Sequence, residues 1–387
     1  MNKLYNNREE ISSNLQNFFT EINLPISKYR YELLSELIIC ATKAESAVIA
    51  DITNKSFSYD EIQDESLQRK IRRLFKSKSF KPYEIYDSFI KYIIKNYKIK
   101  HLEHIHIAID HMFCNDKFVT LMFTLRVGKQ GIPMWFRSYK GQNNPDAFKN
   151  DLIIEGINYV YNLFKDFNCE IIFLADRWFP NAKIFKHVED IKCTYVFRIK
   201  KEHKIKIYDK KLDKCVWKPL ANFSHKKCDS KILENIDYIE SNPIKTNIIL
   251  GKTSGTDEPW LLATNGNPKT AVRDYSHRFG AIECLFKNQK SNGFYIESTK
   301  IKNIESFRGM YLIVCMATVW LVTLGADYAK NKSHYRKKLA IRDTKKNKNG
   351  KVIRIISLFN VGLTLFNKLF EKTIDMRPKC NFMLYDI

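Results

Sequence analysis

The chain has 387 residues, of which 44% are hydrophobic, and 65 Lys and Arg outnumber 42 Asp and Glu to give a net charge of +23. This length and composition exclude a disordered tail and allow one large core with one or two smaller bodies. The positive charge favours a polyanionic partner, nucleic acid before an anionic membrane surface. A lysine-rich proteome would by itself also raise the charge.

Cysteine usage and the first residues indicate the compartment. Nine cysteines are scattered and none forms a CxxC pair, so neither a zinc site nor a disulfide framework is indicated. The opening MNKLYNNREEISS has no apolar segment of the kind that a signal peptide needs. We therefore expect a reducing, cytoplasmic location.

The first hundred residues follow a helical period. Apolar residues recur at steps of three and four in RYELLSELIICATKAESAVIADI and again in YEIYDSFIKYIIKNY. Between these segments lies the base-rich LQRKIRRLFKSKSFKP. We predict a helical domain over residues 1–100 that binds DNA, although charged helix faces are commonly only solvated.

At residue 104 the apolar period changes to two, which indicates strands. We predict three strands joined by short turns, a helix and a fourth, buried strand, at 104–113, 117–127, 132–141, 144–167 and 169–176. Gly128 and Gly131 mark the predicted turn between the second and third strands. The order β-β-β-α-β is ribonuclease-H-like, with the fourth strand beside the first. The predicted fold class is therefore α/β, a ribonuclease-H-like mixed sheet flanked by helices, whose first part spans residues 101–200.

The second half of the chain divides into three predicted segments. Residues 201–265 contain short strand candidates and form a β-rich insertion, 266–330 complete the core, and 331–387 form a basic loop and a helical tail, with a final helix predicted at 353–372. The uncharged stretch from Gly309 to Ala326 has 18 residues, the lower edge of what a bilayer requires. Charged sequence continues on both sides, so we predict a buried core helix and no membrane partner.

Two carboxylates end apolar strands. Asp110 closes the first strand and Asp176 the fourth, and neighbouring strands would place them about 5 Å apart. A third carboxylate, Glu283, lies in an apolar helical segment, where an isolated charge would be costly. Three such groups can hold two divalent ions for phosphoryl transfer, with Mg²⁺ as the natural occupant. The alternative is that each aspartate merely caps its following turn.

The segment YSHRFGAIECLFKNQK, Tyr275 to Lys290, places basic groups around Glu283. Arg278 can bind a phosphate with two hydrogen bonds, Lys290 is a point charge, and Tyr275 offers a hydroxyl or a stacking face. The alternative is an exposed amphipathic helix with ordinary charges.

These motifs resemble the bacterial insertion-sequence transposases of the DDE class, in the group that has a β-strand insertion and a Tyr-Arg-Glu-Lys signature helix. The resemblance covers roughly residues 20 to 370 and is carried by AIDHMF, LADRWF, WLLATN and YSHRFGAIECLFKNQKSNGFYIE. It implies that Asp110, Asp176 and Glu283 are catalytic and bind two Mg²⁺, with Mn²⁺ as a substitute.

The resemblance also implies DNA-binding residues. Tyr275, Arg278 and Lys290 would hold the terminal phosphates of the transposon end. Arg198 matches a basic position that often reaches DNA. Trp178 would stack on a displaced base, but a buried core tryptophan is an equal alternative.

The implied function is a transposase that binds inverted repeats in double-stranded DNA, cleaves the ends by two-metal hydrolysis and joins them to target DNA by transesterification. It would act as a DNA-assembled homodimer on the nucleoid. The alternatives are a stand-alone ribonuclease-H-like nuclease and a decayed or domesticated DNA-binding protein.

One departure from the family pattern concerns spacing. The pattern leaves three residues between the signature arginine and glutamate, whereas four separate Arg278 from Glu283. On a regular helix the extra residue would turn Glu283 away by about 100°. We predict that a π-bulge or break at residues 279–282 absorbs it.

Overall fold

The computed structural model describes residues 7–56, 64–97, 102–223, 231–251, 260–336, 339, 341–347, 352–371 and 382–384. The α-helices in these ranges are α1 (Asn7–Glu21), α2 (Tyr29–Ala44), α3 (Ile49–Thr53), α4 (Asp64–Lys76), α5 (Pro82–Lys95), α6 (Asn150–Phe164), α7 (Ala182–Asp190), α8 (Ala271–Arg278), α9 (Cys284–Lys290), α10 (Ile304–Lys330), α11 (Lys332–Arg336) and α12 (Leu358–Phe370). The strands are β1 (His104–Cys114), β2 (Phe118–Val127), β3 (Gln130–Lys140), β4 (Glu170–Ala175), β5 (Thr194–Arg198), β6 (Lys204–Asp209), β7 (Lys214–Pro219), β8 (Lys231–Tyr238), β9 (Ile244–Gly251), β10 (Trp260–Thr264), β11 (Thr344–Lys346) and β12 (Val352–Arg354).

One sheet of ten strands organises the fold, in the order β3-β2-β1-β4-β5-β10-β9-β8-β6-β7. β1, β2 and β3 form the predicted antiparallel meander, and β4 lies parallel to β1 and β5 parallel to β4. This is the ribonuclease-H-like arrangement, so the predicted fold class is confirmed. Strands β6 to β9, from the predicted insertion, extend the same sheet.

The long helix α10 is the centre of the helical layer. It is apolar enough to cross a membrane by composition, but its most apolar window is entirely buried inside the fold. Helices α2, α4, α5 and α12 pack around it, and β3 lies against it. The prediction of a buried core helix at Gly309–Ala326 is confirmed, because protein and not lipid covers this helix.

The crossing of α10 and α12 depends on two glycines. A Cβ at Gly325 would overlap the backbone carbonyl of Leu358, and one at Gly362 would overlap that of Leu321. Backbone cannot move aside as a flexible side chain can. The two helices therefore approach closely because neither has a side chain at the crossing point.

The C-terminal part differs from the pattern in the sequence. Residues 353–372 were expected to form one helix, but β12 pairs with β11 and α12 begins only at Leu358. The Ser357 side chain accepts a hydrogen bond from the Asn360 backbone N–H, which caps α12 at its start. The boundaries of the five proposed segments stay predictions. The N-terminal helices share one hydrophobic cluster with α10 and the sheet.

Candidate active site

Asp110 and Asp176 are neighbours at the point where the parallel pairing of β1 and β4 ends. The register pairs Ile109 with Ala175; Asp110 is the next residue of β1, and Asp176 is the first residue after β4. The prediction that Asp110 closes the first strand is wrong, because β1 continues to Cys114 in its pairing with β2.

Each aspartate also accepts a hydrogen bond from the following backbone N–H, of His111 at 2.8 Å and of Arg177 at 2.7 Å. The capping role considered from sequence is therefore present. It uses one oxygen of each carboxylate and leaves the other for a further partner.

The predicted bulge is present as a π-helix over Phe279–Glu283, between α8 and α9. A π-turn takes up one more residue than an α-turn, so the chain continues in the same direction with the extra residue absorbed. As a result, the Arg278 Nη1 lies 3.3 Å from Glu283 Oε1. The prediction of a bulge at 279–282 is confirmed, and the bulge ends one residue later, at Glu283.

A glycine in β3 makes room for this bulge. A Cβ at Gly131 would lie 2.9 Å from the carbonyl carbon of Ala281 and closer still to its oxygen. By contrast, a Cβ at Gly280, inside the π-helix, would meet nothing closer than 3.7 Å. The sequence suggested Gly131 as a turn residue, but it lies within β3 and faces the backbone of the bulge. Its role was not visible from the local pattern.

Arg278 is the centre of the site. Its guanidinium contacts Asp110 Oδ2 through Nη2 and Glu283 Oε1 through Nη1, and only 6% of its side chain is exposed. Burial alone would lower its pKa, but the nearby carboxylates outweigh burial and raise it. The guanidinium therefore stays charged, and it stands where Asp110 and Glu283 converge. Its Nε is buried without a hydrogen-bond partner.

Asp110 and Glu283 ionise less readily than ordinary carboxyl groups. Burial raises the pKa of Asp110 and of Glu283, and the charge of Asp176 raises both further, while Arg278 lowers them. The side chains are partly exposed, 26% for Asp110 and 50% for Glu283, but a group of like charges still favours any cation that binds it. Oxygen donors from three carboxylates also suit Mg²⁺ and Mn²⁺ in chemical type. We call Asp110, Asp176 and Glu283 the carboxylate cluster, and it fits divalent ions.

The predicted DNA-binding residues occupy different environments. Tyr275 is 1% exposed, and its ring packs on Trp260 with centroids 5.0 Å apart. Burial raises its pKa, and the charges of Arg278 and Arg198 lower it. Tyr275 is therefore close to these two arginines but below the surface. Arg198 ends β5, opposite Leu262 of β10.

Lys290 and Trp178 lie nearer to solvent. Lys290 pairs with Glu297, with Nζ and Oε1 2.9 Å apart, and is partly exposed. Trp178 is 75% exposed, and the Lys200 Nζ lies 4.2 Å from the centre of its ring. The alternative of a buried core tryptophan is therefore wrong. An exposed ring beside a cation is compatible with the stacking expectation.

The structure also brings together a group that sequence reasoning missed. His106 of β1 lies beside Asp274 and His277 of α8, and we call these three residues the histidine cluster. The signal was present in two places, since His106 lies on the same face of β1 as Asp110, and Asp274 and His277 are three apart on a helix. The zinc argument from sequence considered only cysteines, and the described ones are free thiols.

Comparison with known families supports the resemblance noted in the sequence. Residues 136–320 match the sequence profile of the family described as the transposase DDE domain. The matched range runs from β3 into α10 and includes Asp176, Arg278 and Glu283, whereas Asp110 precedes it. A search of curated proteins found no match.

Proposed function

This chain carries a transposase DDE domain, and from that premise we propose that it is a DNA transposase that binds the inverted repeats of its element, cleaves their ends and joins them to target DNA. The single observation that supports this most strongly is the contact of Arg278 with both Asp110 and Glu283. With this contact, the extra residue does not separate Arg278 from Glu283. This weighs against the alternative of a decayed active site.

In this proposal Asp110, Asp176 and Glu283 are the catalytic residues and hold two Mg²⁺, for which Mn²⁺ substitutes. Such ions would supply the positive charge that activates the attacking oxygen and stabilises the leaving oxygen of an in-line displacement. The chain's own contribution is to fix the carboxylates. β1 and β4 fix the two aspartates, and the π-helix fixes the glutamate.

Arg278 has two roles in succession. Before metal binds, it offsets part of the negative charge of Asp110 and Glu283, whose side chains are partly exposed. When divalent ions take over that charge, the guanidinium becomes available to bind a DNA phosphate. Its unpartnered Nε provides a further donor for that purpose.

The remaining predicted residues hold the DNA end. Tyr275 lies close to Arg278 and, being 1% exposed, would contact the DNA only where the DNA end penetrates below the surface. Lys290 and Arg198 attract phosphates from two sides, and the exposed ring of Trp178 stacks on a base that leaves the duplex.

The net charge of +23 fits a double-stranded DNA partner, both transposon ends and target. We propose a homodimer assembled on the DNA, because joining requires two ends held together, and a cytoplasmic, nucleoid-associated location. A stand-alone nuclease would use the same three carboxylates. A nuclease would not join the cleaved ends to target DNA, and the presence or absence of joined products therefore separates the two functions.

The test uses a supercoiled plasmid that carries the inverted repeats flanking the coding region, incubated with the full chain and Mg²⁺. We expect cleaved ends and joined products from the wild-type protein and neither from Asp176→Asn. Asp190→Asn, which changes an exposed aspartate at the end of α7, is the matched control and should remain active. Equal cleavage by Asp176→Asn would refute the metal assignment. Cleavage without joined products would favour the nuclease.

A further inference from the structure

The histidine cluster lies on the same strand and helix as the active site. The His106 Nε2 is 3.3 Å from Asp274 Oδ1 and 3.1 Å from His277 Nδ1. One ligand atom from each residue lies within 4.8 Å of the other two, and this is the one such group of three among the residues that the structure describes. His106 and Asp274 are buried, and His277 is half-buried.

Hydrogen bonding alone satisfies the His106 Nε2 poorly, although Asp274 also has a side-chain hydrogen bond with Thr270. A single ring nitrogen carries at most one proton, so Nε2 of His106 can serve both neighbours only as a bifurcated donor. The two distances are longer than the usual value of about 2.9 Å. A cation at this point would instead accept a lone pair from each of the three residues.

We propose that His106, Asp274 and His277 bind one divalent transition-metal ion of the zinc class. Nitrogen and oxygen ligands lie about 2.0–2.2 Å from zinc, so tetrahedral neighbours stand roughly 3.3–3.6 Å apart. The two separations from His106, 3.3 Å and 3.1 Å, are close to this range, and the third lies within 4.8 Å. Two imidazoles and one carboxylate favour zinc, cobalt or iron over Mg²⁺, which prefers oxygen. The half-buried position of His277 leaves access for a water molecule as fourth ligand.

The nearby Arg273 opposes the binding of a cation, whereas the neutral ring of His277 permits it. The Arg273 Nη2 lies 3.6 Å from Asp274 Oδ1, but 64% of that side chain is exposed, so it can withdraw into solvent. Burial, followed by the charges of His106 and Arg126, lowers the pKa of His277 to about 4. The ring of His277 is therefore neutral near pH 7, which a metal ligand requires.

The position of this site suggests a structural purpose. His106 precedes Asp110 by four residues in β1, and Asp274 precedes Arg278 by four residues in α8. An ion bound here would join the strand that carries one catalytic candidate to the helix that leads into the π-bulge. The three residues are therefore positioning residues, separate from the carboxylate cluster.

The experiment counts zinc in the full chain. Asp176→Asn protein, in which the carboxylate cluster is weakened, is stripped with a chelator, dialysed against Zn²⁺ and analysed for bound metal. We expect one equivalent, a rise in Tm with Zn²⁺, and the strong visible absorption of tetrahedral Co²⁺ after replacement. Adding His277→Gln should remove all three, while adding His334→Gln, an exposed histidine, should not.

His277→Gln changes a half-buried residue and keeps a polar side chain, so the variant is expected to fold. Its far-UV spectrum and its Tm without metal check this. Asp274→Asn, on the same background, provides a second loss of the Co²⁺ absorption. Equal zinc content and the same Co²⁺ spectrum in His277→Gln and His334→Gln would overturn the proposal and leave a hydrogen-bonded cluster only.

Discussion

The same strand and helix present two different clusters, and their contrast explains how the site is built. Within β1, the guanidinium of Arg278 lies between the partly exposed carboxylates Asp110 and Glu283. Four residues earlier, His106 meets Asp274 and His277, and the guanidinium that reaches Asp274, that of Arg273, belongs to a largely exposed side chain. The carboxylate cluster thus includes its own counter-charge and can be folded without metal. The histidine cluster lacks that arrangement and suits a resident ion.

The two clusters also differ in their dependence on helix geometry. The histidine cluster uses residues three apart within α8, which any regular helix brings together. The carboxylate cluster needs Arg278 and Glu283 on one side across five positions, which only the π-turn achieves. Changes to the bulge should therefore affect the carboxylate cluster and spare the histidine cluster.

The largest effect is expected from inserting one alanine between Gly280 and Ala281. A second extra residue would turn Glu283 by about 100° away from Arg278, with a loss of several kcal/mol of transition-state stabilisation, roughly 10³-fold in cleavage rate. Deletion of Gly280 is the matched control. It restores regular helical spacing and should keep the rate within about tenfold. Similar losses in both variants would contradict the role given to the bulge.

Gly131→Ala should have the next largest effect. The new methyl group would collide with the Ala281 carbonyl and push the π-helix away from β3. A displacement of about 1 Å costs on the order of 10²-fold in rate, and overpacking costs about 1–3 kcal/mol in unfolding free energy. Cleavage assays and urea unfolding measure the two effects.

Gly280→Ala serves as the control for Gly131→Ala, because its Cβ meets nothing closer than 3.7 Å. It should unfold and cleave like the wild type. If Gly131→Ala were equally harmless, the close approach of β3 to the bulge would be irrelevant to catalysis.

How far could this arrangement be read from the sequence? The change of period at residue 104 predicted the meander, and strand order then placed Asp110 beside Asp176. The spacing of Arg278 and Glu283 predicted the bulge, because one residue too many must be absorbed if the site is to form. These are local or near-local patterns.

What the sequence did not reveal depends on contacts between distant segments. Gly131 appeared to be a turn residue, and only packing against Ala281 shows its steric purpose. His106 and Asp274 are 168 positions apart, so their proximity follows from how α8 crosses β1. The burial of Tyr275 likewise depends on Trp260 and the sheet beneath it, and no helical pattern could disclose it.

Arg278→Ala should change stability before metal binds. Removing the guanidinium leaves Asp110 and Glu283 without their counter-charge, but both are partly exposed, with 26% and 50% of their side chains accessible. Solvent therefore reduces the cost of a broken buried pair to about 1–2 kcal/mol. Urea unfolding without metal measures it. Mg²⁺ should stabilise this variant more than the wild type, and an equal gain would contradict the counter-charge role.

The smallest effect is a pH dependence of metal binding. The pKa values of Asp110 and Glu283 are raised in the folded protein, chiefly by burial, so these groups take up protons more readily than in the unfolded chain. Without metal, the free energy of unfolding therefore increases as the pH falls through the range in which these groups take up protons. Divalent ions require the ionised forms, so Mn²⁺ affinity should fall with acid, beginning above the pH at which exposed carboxylates protonate.

Calorimetric titration with Mn²⁺ across a pH series measures this loss. In Arg278→Gln, the pH at which Mn²⁺ affinity falls should be higher than in the wild type, because the guanidinium is the main group that lowers both pKa values. An affinity that stays constant down to the ordinary carboxyl range would contradict the burial effect.

We propose that the π-bulge places Glu283 with Asp110 and Asp176 in one metal-binding active site. A crystal structure of the full chain with Mn²⁺ and end DNA, with the ions located by anomalous scattering, tests this placement. Manganese should lie between the three carboxylates, and Arg278 should have moved from Asp110 to a DNA phosphate. Manganese bound without Glu283, with Arg278 still joined to Asp110, would show that the bulge does not build the metal site.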